Sequence, residues 1–314
     1  MKMKRWFPIL AITLLYSLFG CKEKKTIKPQ ISTPKAIATI KYTPPSIPYH
    51  LRNTSQAIDY LAEHYWDSID FTDTLYLHNN DIMEQTWCNY CDLLNRVSPM
   101  VATKSIRKVI KSADASRAMF KYLTTLAEKY LYNPNSPIRN EEYYIPVLHE
   151  MLASSSLNKT EKIRPETQLK LAIKNRVGEK GNNFCYTLVN GEKGYLYKTK
   201  TDYLLVFFNS PDCNACRKTI NLLKEAPAIN KMFNTGKLKI LSLYPDEEVD
   251  YWRQHINEFP SHWICAYDKE MIIREKQIYD LKALPTIYLF DKNKTVLLKD
   301  VTPQQVEYFL SLQE

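Results

Sequence analysis

Two pairs of cysteines in this chain share one spacing. Cys213-Asn214-Ala215-Cys216 and Cys88-Asn89-Tyr90-Cys91 both read C-x-x-C. That spacing lets two sulfurs close a small disulfide ring, join a zinc site or, with a following His, attach haem. Arg217 and Asp92 follow the two pairs, so haem attachment is excluded. A zinc ion held by both pairs would span more than 120 residues, unlike the short-spaced ligand knuckles of zinc sites. What precedes each pair then separates them. Tyr203 to Phe208 (YLLVFF) has the length and composition of a buried strand, and Ala215 to Lys224 has helical patterning. Cys213 therefore falls at a strand-to-helix turn. A thiol there meets the positive end of a helix dipole and unpaired N–H groups, and both favour the thiolate that attacks disulfides.

Cys88 and Cys91 fall instead inside a helix expected to begin near Asp81, with Asp81 and Glu84 at capping-box spacing. Two cysteines at i and i+3 share one face there and behave as small buried hydrophobes. The sharper alternative is a second dithiol that relays electrons to or from Cys213 and Cys216, as thiols outside the cytoplasm tend to oxidise and the start of the chain points to export. Cys185 and Cys265 lie on predicted strands, either inert or joined to each other. His64, Asp67, Asp70, Asp73 and His78 form a polar cluster whose spacing fits no ligand pattern, so turn-capping carboxylates are expected and no metal site is assigned. No phosphate-binding glycine loop, nucleophile elbow or zinc-protease motif is present.

The elements that position these residues divide by glycine usage. No glycine occurs from Cys21 to Val177, and five follow from Gly178 to Gly236. The glycine-free stretch has 3.6-residue patterning, and about six helices are expected between residues 52 and 176. Ser98 with Pro99 marks one start, Met119, Leu123, Leu126, Ala127, Tyr130 and Leu131 form one apolar face, and Asn133 to Pro137 is a break. After Gly178 the period changes. Strands are expected at 184–189, 194–197, 203–208, 239–244, 263–266, 286–290 and 296–298. Turns fall at Asn190-Gly191 and Asp291–Lys294. Thr302, Pro303 and Gln305 open a last helix. Strands alternating with helices, then a hairpin and a terminal helix, give a central mixed sheet with helices on its faces.

The start of the chain speaks to compartment. Lys2, Lys4 and Arg5 precede a largely apolar run from Trp6 to Phe19, too short for a comfortable membrane span. It ends Leu18-Phe19-Gly20-Cys21. That ending resembles the lipobox of bacterial lipoproteins, and the resemblance implies a lipoprotein signal peptide at residues 1–20, with Cys21 lipidated and holding the protein to a membrane. Residues 21–49 form a Lys-, Thr- and Pro-rich extended linker, able to reach roughly 90 Å when stretched. Residues 1–41 carry +8 of the formal net charge of +9. That basic character therefore belongs to the leader and tether beside a membrane, and nucleic acid is not an expected partner.

Three features carry a resemblance: Cys213-Asn214-Ala215-Cys216 after a buried strand, Ala283-Leu284-Pro285-Thr286 before a later strand, and Asn175 to Lys180 with the 184–197 hairpin. Together they resemble the TlpA/ResA-like group of exported, thioredoxin-fold thiol-disulfide oxidoreductases, over about residues 176–314. The helical part resembles a domain of unknown function that precedes such domains in Bacteroidota lipoproteins, in Ala62–Asp67 and Tyr132–Glu142. The resemblance implies Cys213 as the attacking thiolate and Cys216 as the resolving thiol. It implies a cis-proline at Pro285, with Leu284, Pro285 and Thr286 binding an extended substrate segment by strand addition. Asp212 stands where many relatives have Trp. Its carboxylate opposes thiolate formation, while Arg217 and Lys218 favour it.

The expected molecule is an all-helical domain (50–176) followed by a thioredoxin-like three-layer α/β/α domain with a central mixed sheet (177–314). The expected activity is disulfide exchange with protein thiols and disulfides in the cell envelope, needing no cofactor, from an outer-membrane anchor facing the periplasm. A non-catalytic binding protein is the competing expectation, with a partner-recognising helical domain and a thioredoxin-like scaffold held by a structural disulfide.

Overall fold

The computed structural model describes residues 41–52 and 56–313. The expected leader at 1–20, the expected lipidation site Cys21 and most of the expected linker lie outside the described residues. The last residues of the expected linker that are described pack against the helical half. The Tyr42 hydroxyl donates to the Tyr65 carbonyl (2.7 Å), and the Tyr42 ring packs 5.1 Å from that of Tyr65.

Six α-helices build the first half: α1 (Gln56–His64), α2 (Asn80–Leu94), α3 (Pro99–Ala113), α4 (Arg117–Ala127), α5 (Glu141–Ala153) and α6 (Lys159–Ala172). Their starts follow local chemistry. Ser98 accepts the Val101 N–H with Pro99 behind it, and Asn158 and Glu161 form a reciprocal capping box. The expected box of Asp81 and Glu84 does not form. The Met83 N–H bonds the Asn79 carbonyl, so α2 begins at Asn80 and Asp81 sits within its first turn. Glu84 turns to Lys129 (2.7 Å) and the Tyr130 hydroxyl (2.6 Å). The helices share one core rich in aromatics, including Trp66, Trp87, Tyr90, Phe120 and Tyr144. Inside it the Tyr90 hydroxyl donates to Ser105 Oγ (2.6 Å), which donates to the Ala62 carbonyl (2.5 Å). That chain satisfies two buried hydroxyls while tying α2, α3 and α1 together. A π-turn (Glu128–Tyr132) extends α4; the Tyr132 ring stacks on that of Tyr144 in the helical half (4.9 Å), and its hydroxyl reaches Asp280 of the second half.

The second half is a seven-stranded mixed sheet. Its strands are β1 (Cys185–Leu188), β2 (Lys193–Tyr195), β3 (Tyr203–Phe208), β4 (Leu238–Tyr244), β5 (Ile264–Tyr267), β6 (Thr286–Asp291) and β7 (Val296–Lys299). Between and after them lie α7 (Asn214–Glu225), α8 (Pro227–Asn234), α9 (Val249–Gln254), α10 (Ile272–Glu275) and α11 (Pro303–Ser311). The order is β2-β1-β5-β4-β3-β6-β7, with β3–β4 and β4–β5 parallel and the other pairs antiparallel. Central β3 explains its own sequence. Leu205 and Phe207 enter a core with α7, α8 and α11, while Leu204, Val206 and Phe208 enter the opposite one with Ile273 and Tyr279. A strand buried on both faces must be apolar at every position. The hairpin turn at Asp291–Lys294 and the capping box of Thr302 and Gln305 form as expected. Both halves belong to one compact unit. Among the described residues no helix is long and apolar enough to cross a membrane.

Candidate active site

The antiparallel pairing of β3 with β6 sets the geometry of the site. Phe208 lies opposite Thr286. The chain leaving β3 therefore reaches Cys213 beside the chain entering β6, which has just passed Leu284 and Pro285. The Leu284–Pro285 peptide is cis, as the family resemblance implied. Cys213 Sγ lies 3.3 Å from the Leu284 carbonyl oxygen, and Thr286 Oγ1 donates to the Ala283 carbonyl (2.7 Å). The residues implied at 213, 216, 284, 285 and 286 thus form one cluster, although the two segments stand some 70 residues apart.

Each side of the cluster is held locally. Buried Asn209 ends β3, and its Nδ2 donates to the Phe207 carbonyl and Ser242 Oγ, both at 2.8 Å. Losing such a buried anchor costs about 1–3 kcal/mol. Arg217 reaches back from α7 to the Pro211 carbonyl (2.6 Å) and to Asn214 Oδ1. Its guanidinium thus fixes the turn as well as adding positive charge. Asp212 is exposed and accepts a 2.6 Å hydrogen bond from the Tyr251 hydroxyl of α9. Cys213 is the N-cap of α7, and its sulfur accepts the Cys216 N–H at 3.0 Å. Cys213 and Cys216 form a disulfide with Cα atoms 5.1 Å apart. Cys213 is half-buried and Cys216 is 1% exposed, so of the two residues Cys213 is the one reachable from solvent. Asn209, Tyr251 and the anchoring role of Arg217 were missed from sequence. A polar residue directly ending an all-apolar strand was the one signal available, for Asn209.

The other candidates are placed elsewhere. Cys91 lies in the helical core and Cys88 at its edge, both as free thiols, and burial pushes both above the ordinary thiol range. Cys185 and Cys265 are also free. In the β1–β5 register Thr187 faces Tyr267, so Cys185 would face residue 269, about 13 Å along the strand from Cys265 at 3.3 Å per residue. A disulfide between them is excluded. Burial raises Cys265 to about 11. In the polar cluster each carboxylate has a local task. Asp67 pairs with His64 and Lys108, both at 2.6 Å, while Asp70 and Asp73 accept turn N–H groups at 2.9 Å.

Residues 20–175 match the family described as a domain of unknown function, DUF5106. A thioredoxin-like protein from Bacteroides caccae, known from its crystal structure, is 52% identical, with 88% of this chain and 100% of that one covered and a TM-score of 0.85. The C-terminal domain of an uncharacterised protein from Bacteroides fragilis is 53% identical over 44% of this chain and 98% of its own, with a TM-score of 0.43. The thioredoxin domain of a thiol-disulfide oxidoreductase from Bacteroides vulgatus is 23% identical over 43% of this chain and 98% of its own, with a TM-score of 0.38. No curated protein matches the chain. A half-identical relative spanned from end to end settles the family: the chain belongs to the thioredoxin-like proteins, in a form whose N-terminal half is a DUF5106 domain.

Proposed function

We propose that the protein is a lipid-anchored thiol-disulfide oxidoreductase of the cell envelope that exchanges disulfides with protein partners. One observation carries the proposal: the accessible sulfur of a C-x-x-C disulfide caps a helix N-terminus and lies 3.3 Å from the backbone just before a cis-proline. In the reduced form, the Cys216 N–H and the α7 dipole stabilise a thiolate on Cys213. That thiolate attacks a substrate disulfide, forming an intermolecular S–S bond and releasing one substrate thiolate. Cys216, once deprotonated, attacks Cys213 Sγ, closes the internal disulfide and releases the second. Two electrons pass from the dithiol to the substrate, and two protons accompany them. The reverse sequence oxidises a substrate dithiol. The sulfurs hold both electrons, so no cofactor is invoked.

Leu284, Pro285 and Thr286 are proposed to hold the substrate as an added strand. Residues 177–314 act as the three-layer α/β/α redox domain, and 50–176 as a helical domain beside it. Cys21 carries the lipid, residues 21–49 form the tether, and the protein faces the periplasm from the outer membrane. Nucleic acid has no part in this reading.

The decisive experiment is a Cys216→Ser trap in the native envelope. The expected result is mixed disulfides through Cys213 that vanish on reduction, together with insulin reduction by the wild type. Absence of both would overturn the enzyme reading. Retention of Cys21→Ala in the membrane fraction would overturn the anchor.

A further inference from the structure

The ten residues between α10 and β6 carry Leu284 and Pro285 and contain no regular element of their own. A mobile chain there would present the substrate-pairing backbone poorly. The structure instead ties this loop to the helical half and to the segment leaving it. Lys174 Nζ donates to the Gln277 carbonyl (2.7 Å), and Asn175 Nδ2 to the Ile278 carbonyl (2.8 Å). The Tyr132 hydroxyl donates to Asp280 Oδ2 (3.2 Å). Closest to the site, Lys282 Nζ donates to Glu141 Oε1 at 2.5 Å and stands 4.4 Å from the centre of the Tyr132 ring. The Lys282 side chain is 10% exposed and that of Glu141 11%. Asp280 and Asp300 add carboxylates at 3.4 and 3.7 Å, and Lys299 takes the second Glu141 oxygen at 2.5 Å.

Lys282 is two residues from Leu284 and three from Pro285. Charges this deeply buried stabilise a fold poorly, because desolvation offsets most of their attraction. What they supply is direction. An ion pair has one good geometry, whereas an apolar contact tolerates sliding. A cleft of about 530 Å³, lined in part by Tyr132, Glu141, Lys282 and Lys299, adjoins the pair.

We infer that Glu141 and Lys282 are positioning residues, through which the DUF5106 domain holds the Leu284–Pro285 backbone in register for a protein substrate. The inference rests on the disulfide-exchange reading. It gives the helical half a part in catalysis that touches neither sulfur.

Two substrates separate positioning from simple stability. Insulin must lie along the loop, whereas the small aromatic disulfide 5,5′-dithiobis(2-nitrobenzoate) needs only an accessible Cys213. In the full chain, Lys282→Met is expected to raise KM for insulin on the order of tenfold, as misplaced binding groups do. Its rate with the small disulfide should stay within about twofold of wild type, because the Cys213 thiolate is untouched. Lys282→Arg should recover part of the loss, and Glu141→Gln should move in the same direction by less. Should Lys282→Met fail to fold, Glu141→Gln carries the same comparison. Equal effects on both substrates, or no effect on either, would overturn the inference while leaving the enzyme reading standing. A wild type inert toward both substrates would overturn the two together.

Discussion

Cys88–Cys91 and Cys213–Cys216 share a spacing, and each pair sits on a helix, yet their surroundings differ in every respect that matters to sulfur chemistry. Cys213 caps α7, half-exposed, with the Cys216 N–H pointing at its sulfur. Cys88 lies eight residues past the start of α2, where backbone N–H groups are already spent within the helix. Cys91 is 3% exposed among apolar side chains. Burial opposes the thiolate in α2, while the helix end favours it in α7. The lesson is that C-x-x-C gains its chemistry from position along the helix, and only its ring-closing ability from spacing.

The largest test of that contrast is mutational. Cys213→Ser should lower insulin reduction by at least about 10³-fold, since a serine hydroxyl cannot replace the thiolate. Cys88→Ser combined with Cys91→Ala should leave the rate within about twofold while costing about 1–2 kcal/mol of stability, as a lost core sulfur should. A tenfold fall in rate from the α2 double variant would break the comparison and restore the electron relay. Thiol labelling sharpens it further. With the protein reduced at pH 7.5, Cys213 should react with iodoacetamide roughly 100-fold faster than Cys91, by mass spectrometry over time. Equal rates would place the two pairs in one class.

The same contrast explains what was legible in the sequence. The strand-to-helix turn at Cys213 was readable because both flanking patterns are local: six apolar residues, then a helical period. The cis bond at Pro285 was foreseen only through likeness to a family, since nothing in Leu-Pro-Thr by itself demands it. The start of α2 near Asp81 was readable, but the capping box was not formed, because Glu84 is drawn to Lys129 and Tyr130, 45 and 46 residues further along the chain. Lys282 and Glu141 were invisible for a related reason. They stand 141 residues apart, and a lysine in a loop reads as solvated until a partner buries it. Sequence resolves contacts along one element well. Contacts between the two halves appear only when the halves are docked.

Tyrosine ionisation offers a comparison of the two halves themselves. Tyr144 lies in the helical half and Tyr288 in the sheet, and burial pushes both hydroxyls well above the ordinary range. Above pH about 10 the unfolded chain ionises its tyrosines while the folded chain keeps these protonated. The folded state then binds more protons, so stability falls as pH rises, by up to about 1.4 kcal/mol per pH unit for each buried tyrosine. Urea midpoints at pH 9 and 11 measure the slope. The two sites should then part company at neutral pH. The Tyr144 hydroxyl donates to Gln168 Oε1 (3.0 Å), so Tyr144→Phe should cost about 1 kcal/mol. The Tyr288 hydroxyl is buried without a partner, so Tyr288→Phe should be neutral or stabilising and should flatten the alkaline slope. A large loss from Tyr288→Phe at pH 7 would contradict that assignment.

The smallest expected effect lies closest to Cys213 and Cys216. Asp212 precedes Cys213, and its negative charge opposes a neighbouring thiolate. The Tyr251 hydroxyl donates to that carboxylate at 2.6 Å, and Tyr251 is itself braced by the His255 ring 4.3 Å away. The same hydrogen bond raises the Tyr251 hydroxyl above its ordinary range, so it remains a donor at neutral pH. Tyr251→Phe releases the carboxylate from its donor and leaves more of its charge acting on the sulfur. The thiolate titration of Cys213, followed by absorbance at 240 nm in a Cys216→Ser background, should move upward. The rate with a small disulfide at pH 7 should fall about two- to threefold, an effect fading in 1 M salt because the pair is exposed. Asp212→Asn should move both quantities the opposite way. If the two variants shift the titration in the same direction, the Tyr251–Asp212 pair acts on the shape of the turn and the charge argument fails.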